Sequence, residues 1–177
     1  EKKESVNAGY LYFLIAHIGT ALIMLSFFIL YRNTGSFDFE SFRTATIPLG
    51  TKNLIFLLAF FGFGAKAGIV PLHIWLPRAH PAAPSHVSAL LSGVMIKTAI
   101  YGIIRLCVDI LGTPLWWWGF VVLCFGGLSA LLGIVYALDE RDLKRLLAYS
   151  SVENVGIILM GVGVGMMGMS LQLPVLA

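Results

Sequence analysis

Charge is what this sequence has least of. Only 12% of its 177 residues are Asp, Glu, Lys or Arg, about half the roughly 25% of a soluble domain, which excludes water as the solvent for most of its surface. Val121–Leu138 passes eighteen residues without a charge, too long an apolar run for a helix buried in a soluble core. Cysteine is nearly absent as well. Cys107 and Cys124 are too few for a disulfide framework, an iron–sulfur cluster or a metal site; both lie in apolar sequence and are expected to be buried packing residues. No cofactor and no metal is therefore expected in this chain. Basic residues exceed acidic ones by three, but they are scattered and lack a stripe of interleaved aromatics, which argues against nucleic acid as a partner. The glycine-rich GVGVG at 161–165 follows no strand, so it is not a nucleotide loop.

What is present is hydrocarbon, at 58% of residues and a mean hydropathy of +0.88. Five segments reach the ~20 apolar residues that cross a bilayer, about 8–31, 52–77, 85–105, 115–138 and 152–170. The fold class is all-α integral membrane, a single bundle of about five transmembrane helices over 1–177. Tyr10, Tyr12, Tyr31 and the run Trp116-Trp117-Trp118 fit aromatic belts. Residues 33–50, with Phe37, Phe39 and Phe42, read as an amphipathic connection on the bilayer surface. EKKES at the start and DERDLKR (139–145) read as loops, and Gly161 and Gly165 as a small-xxx-small helix contact. The opening residue is not Met and the sequence stops in apolar LQLPVLA, so it reads as a segment of a longer protein. Alternation puts Lys2, Lys3, Arg78, Arg141, Lys144 and Arg145 on one side and Arg32, Arg43, Lys52 and Arg105 on the other. The richer side is then cytoplasmic.

Charge inside the spans is the exception that calls for a function. Lys66 and Lys97 each lie in a long apolar run, where a lysine costs about 2.5–3.5 kcal/mol on insertion scales. A side chain reaching about one helical turn does not snorkel from mid-depth. Structural pairing is the plain alternative to an ion path. Between the lysines, Gly62, Gly64, Gly68 and Pro71 predict a second span broken at Pro71, with His73 just beyond the break. Such breaks mark ion sites in transporters. His80-Pro-Ala-Ala-Pro84 reads as a stiff turn and Ser85 as the N-cap of the third span. At 100° per residue His86, Gly93 and Lys97 share one face, with Tyr101 on its flank. An amine between burial, which disfavours its charge, and a carboxylate, which favours it, is able to release and regain a proton. Glu153 is one such carboxylate, although a helix-start position set by the helix dipole explains it more simply. His17, alone on the first span, is expected to be a packing residue.

FGAKAGIVPLHIWLPRAHPAAPSHVSALLSGVMIKTAIYG and DLKRLLAYSSVENVGIILMGVG resemble the proton-translocating antiporter-like subunits of respiratory complex I, Mrp antiporters and membrane-bound hydrogenases. Within that family, HPAAPSHVSALLSGVMIK and AYSSVENVG are most similar to the hydrogenase-4 and formate hydrogenlyase branch. The resemblance implies about five helices of a fold of about fourteen. It implies Lys66 and Lys97 as proton relays, and His73, His80 and His86 along a half-channel. The partner glutamate and a second broken helix would lie outside this stretch. It also implies other membrane subunits and a peripheral hydrogenase or electron-transfer subunit as partners, with the chain in the cell membrane and no redox chemistry of its own. A Na⁺/H⁺ antiporter module and a non-conducting membrane anchor are the rival readings.

Overall fold

The computed structural model describes residues 2–173, apart from the side chains of Lys2 and Glu4. The apolar end LQLPVLA lies outside the described residues from position 174 onward. Among the described residues all regular structure is helical, and five helices are long and apolar enough to cross a membrane.

The first span, α1 (Lys2–Thr34), closes on Gly35, whose left-handed backbone (φ +74°) donates its N–H to Tyr31. From Lys2 onward EKKES is therefore helix, not loop. Nothing in Lys2–Ser5 breaks a helix, and α1 simply includes them. A surface turn follows with the one-and-a-half-turn helix α2 (Phe39–Thr44), which buries Phe42 and leaves Phe37 and Phe39 exposed.

The second span is the most buried of the five and is broken. Its first half, α3 (Leu49–Ala67), ends at Gly68 in the left-handed region (φ +75°), three residues before Pro71. A 3-10 turn (Leu72–Trp75) then leads into α4 (Leu76–Ala82). Helix runs through His80 and Pro81, so the expected turn at 80–84 shrinks to Ala83-Pro84. Ala83, preceding a proline, is extended (ψ 148°), as the steric demand of the following ring requires.

The third span begins with α5 (Ser85–Leu90). Its N-cap is Pro84, not Ser85, and no side chain caps it. A π-helical stretch (Leu91–Met95), α6 (Ile96–Ile104) and a second π stretch (Arg105–Ile110) complete the span, beyond the expected end at Arg105.

The fourth and fifth spans, α7 (Trp116–Asp139) and α8 (Leu143–Ser170), form a hairpin with only Glu140, Arg141 and Asp142 between them. DERDLKR is thus not one loop. The Asp142 side chain caps α8 by accepting from the backbone N–H groups of Lys144 and Arg145, and the fifth span starts nine residues before Val152. The two helices touch backbone to backbone. A Cβ on Gly119, Gly126, Gly156 or Gly163 would lie under 3.0 Å from main-chain atoms of the facing helix. Gly161 faces open space, so the close contact is not made by the spacing it shares with Gly165. It is made by glycines seven apart on each helix, which return to one face after two turns.

The aromatic belts are also thinner than expected. Trp118 is buried, stacks on Phe56 (centroids 4.8 Å) and donates from Nε1 to Asn53, while Trp116 stays exposed. Tyr12 turns inward against Trp75, and its hydroxyl donates to the Met95 sulfur. Cys107 is buried as expected, but Cys124 is exposed on α7.

Candidate functional site

The break in the second span can be followed one backbone group at a time. Gly68 and Ile69 both donate to the Gly64 carbonyl, Val70 donates to the Ser129 hydroxyl of α7 (3.0 Å), and Pro71 has no N–H. On the acceptor side the Trp75 indole N–H reaches back to the Ala65 carbonyl (2.9 Å). Unwound backbone at membrane depth is tolerable only when protein or water meets its polar groups, and here side chains from two elements do so. Lys66 sits in the last turn of α3, next to the residue that Trp75 holds, and near the middle of the whole second span.

Lys66 lines a groove of about 660 Å³ between the first, second and third spans. Its other walls are apolar, with Ile23, Phe63, Leu91, Val94 and Met95 prominent. Thr20 and Thr98 also line it, but each hydroxyl donates to a carbonyl of its own helix. Among the described residues no carboxylate lines the groove, and none forms an ion pair with Lys66. The site thus offers one amine, half-buried, facing an apolar-walled space with no counter-charge among the described residues that line it.

The structure does not gather the other sequence-predicted residues around it. Lys97 lies near the middle of the third span, but it is exposed and its Nζ donates to the Ser92 carbonyl (2.7 Å) inside the first π stretch. That i→i+5 stretch lies between His86 and Lys97, so a uniform 100° per residue does not carry from one to the other. His86 is exposed at the start of the third span. His73 is half-buried in the 3-10 turn and His80 is buried in α4. His73 Nδ1 and His80 Nε2 are enclosed without a hydrogen-bond partner among the described residues. Glu153 is not at a helix start. It stands ten residues into α8, about 15 Å along the axis, with its backbone against Gly133. The His17 ring lies tilted against Phe13, and its Nδ1 donates to the Phe13 carbonyl (2.8 Å), as a packing histidine would.

The two ends of the bundle differ in their electrostatics. At one end Arg78 and Arg145 share a cavity of about 540 Å³ with Ser5 and Asn7, and Lys144 donates to the Ala83 carbonyl. At the other, Arg43 makes two hydrogen bonds to Asp109 and one to Glu40, and Arg105 also pairs with Asp109. The bonds to Asp109, then Glu40, raise the Arg43 guanidinium above its ordinary value, so it is charged at every accessible pH. Lys52 closes the third span by donating to the Leu111 carbonyl.

Sequence reasoning missed Ser129, Trp75 and Ser92. Ser129 carried a usable signal, as the lone serine in the charge-free run Val121–Leu138.

With this geometry the comparisons with known proteins fall into place. Residues 1–176 match the family described as NADH:quinone oxidoreductase/Mrp antiporter, TM. The chain is 60% identical to hydrogenase-4 component B of Escherichia coli (strain K12) over 99% of its length, covering 26% of that protein. It is 41% identical to formate hydrogenlyase subunit 3 of the same organism over 95% of its length, covering 28% of that protein. The chain therefore spans about a quarter of the length of these curated relatives. A chain of the Mrp complex from Dietzia sp. DQ12-45-1b superposes with a TM-score of 0.80 at 26% identity, over 94% of this chain and 32% of that one. A broken second span with a lysine near its middle thus stands within a recognisable set of membrane subunits, and this chain belongs to the NADH:quinone oxidoreductase/Mrp antiporter transmembrane family.

Proposed function

We propose that this chain forms part of a proton-translocating subunit in the cell membrane, with Lys66 as the relay. The observation that carries this reading is the Lys66 groove. An amine at the middle of a broken, protein-buried span, facing a space that none of these helices fills with a counter-charge, is costly unless a charged partner or a proton path meets it. The missing partner is an acidic side chain on a helix outside this stretch, seated in the groove. Changes in that acid's distance or charge then decide whether Lys66 keeps its proton.

Lys97 is the next relay, and its bond to the Ser92 carbonyl holds the ammonium in wait on its own helix. His73, His80 and His86 line the approach from the Arg78–Arg145 end, the cytoplasmic side, and the two enclosed ring nitrogens are their free proton-exchange positions. Glu153 is a further candidate on α8. Electrons travel in other subunits, and the names of the hydrogenase-4 and formate hydrogenlyase relatives support a peripheral hydrogenase as the electron-carrying partner.

Inverted membrane vesicles containing the full-length protein in its complex test the reading. Acidification on electron input should lose this subunit's share in Lys66→Ala while the complex stays assembled, and undiminished acidification would sink the relay. A requirement for added Na⁺ would transfer the reading to a Na⁺/H⁺ antiporter module. If Met replaces both lysines without loss, the chain is a membrane anchor.

A further inference from the structure

We infer that Ser129 is a positioning residue for Lys66, acting across the gap between the fourth span and the break in the second. This rests on the relay reading above but stands on separate geometry. Of the four residues that follow α3, two satisfy their N–H groups on the Gly64 carbonyl and Pro71 has none to satisfy. Val70 is left, and its N–H has one partner, the Ser129 hydroxyl, fifty-nine residues away in sequence. Ser129 is fully buried, and its own proton goes to the Phe125 carbonyl at 2.7 Å. The hydroxyl is thereby oriented with a lone pair toward Val70, so it cannot rotate away without losing two hydrogen bonds.

The element that carries Ser129 is suited to act as a fixed point. α7 packs against α8 through glycines whose backbones touch, so a hydrogen bond from α7 ties the break to a close-packed helix pair. On the near side, Trp75 bridges the break to Ala65. Lys66 lies between these two holds, directly after Ala65 and four residues before Val70. A loosened Val70 frees the chain from Gly68 to Pro71 and, with it, the last turn of α3 that aims the amine into its groove. Ser129 touches no proton itself; it sets where Lys66 releases one.

The test uses the full-length protein in its complex, in proteoliposomes, with Ser129→Ala and Ser129→Thr. Threonine keeps the hydroxyl; alanine leaves a buried donor unpaired, and amide exchange at Val70 should accelerate about tenfold or more. Proton translocation in Ser129→Ala should fall about tenfold with a displaced pH profile, because the amine is misaimed rather than removed. Ser129→Thr should restore exchange, rate and profile. If Ser129→Ala fails to assemble, Ser129→Cys, of similar shape but a poor acceptor, takes its place.

Unchanged exchange at Val70 overturns the proposal. So does faster exchange with an unaltered pH profile, since the bond would then hold the backbone without aiming Lys66. If Lys66→Ala itself translocates normally, the relay reading fails, while the exchange result still decides whether Ser129 holds the break.

Discussion

Spans four and five touch backbone to backbone along glycines seven apart, while spans two and three are interrupted by a break and two π-helical stretches. The two halves use nearly the same apolar residues to opposite ends. The α7–α8 hairpin keeps its hydrogen bonds inside regular helices and gains stability from close van der Waals contact, the main adhesive between helices in lipid. The irregular half releases backbone groups, and side chains take them up: Trp75 on Ala65, Ser129 on Val70, Lys97 on Ser92. Both mid-span lysines fall in this half. Regular packing provides the frame, and irregular backbone is where a charge finds partners.

The largest effect should come from breaking the frame. Gly156→Val would place a Cβ 2.4 Å from the Ala130 amide nitrogen, where only backbone movement gives room. Overpacking of this kind costs about 1–3 kcal/mol or more, and the assembled protein recovered from membranes should fall at least tenfold. Normal recovery would mean that the close glycine contacts do not hold the hairpin together.

Trp75→Phe sharpens the contrast from the other side. It keeps the ring but orphans the Ala65 carbonyl, a loss of about 1–3 kcal/mol. Thermal unfolding should come several degrees earlier, with proton translocation reduced more than the amount of folded complex. A variant as active as the parent would separate the break's geometry from function.

Arg43→Gln should do less. Arg43 and Asp109 each keep about a third of their side-chain surface in solvent and Glu40 about three-quarters, and a partly exposed pair at the bundle's end is screened by salt. Because its hydrogen bonds to Asp109, then Glu40, raise the guanidinium above its ordinary value, the charge persists to high pH; its contribution is present below the unfolded value and is lost only as pH climbs beyond the accessible range. The melting temperature should drop slightly, more at low salt, and the drop should be the same at pH 6 and pH 8.

Gly161→Ala should do least. The position faces open space on the helix that carries Gly156, and alanine is the better helix former by about 1 kcal/mol. Recovery and melting should be unchanged or slightly raised. A marked loss would show that another helix of the longer protein uses that face.

Much of this was legible in the sequence where the cause was local. Gly68 and Pro71 announce the break, and Lys66 and Lys97 stand out because charge is costly in hydrocarbon. Reading failed where the cause was a neighbour. The charge of DERDLKR predicts a loop, but Asp142 begins a helix by capping it. Gly161 and Gly165 have the spacing of a helix contact, but which glycines meet a partner depends on how α7 lies against α8. The phase between His86 and Lys97 assumed a uniform helix, and the π stretch between them has a different period. Ser129 was unreadable as a partner of Val70 because nothing local relates positions fifty-nine apart.

On the relay reading proposed above, an amine in the irregular half, not the frame, carries the proton. Protons moved per electron transferred, counted in proteoliposomes for the parent complex and for Lys66→Ala, decide between the two. Electron flow should continue in the variant while the proton ratio falls by this subunit's whole share. An unaltered ratio at full electron flow would rule the relay out.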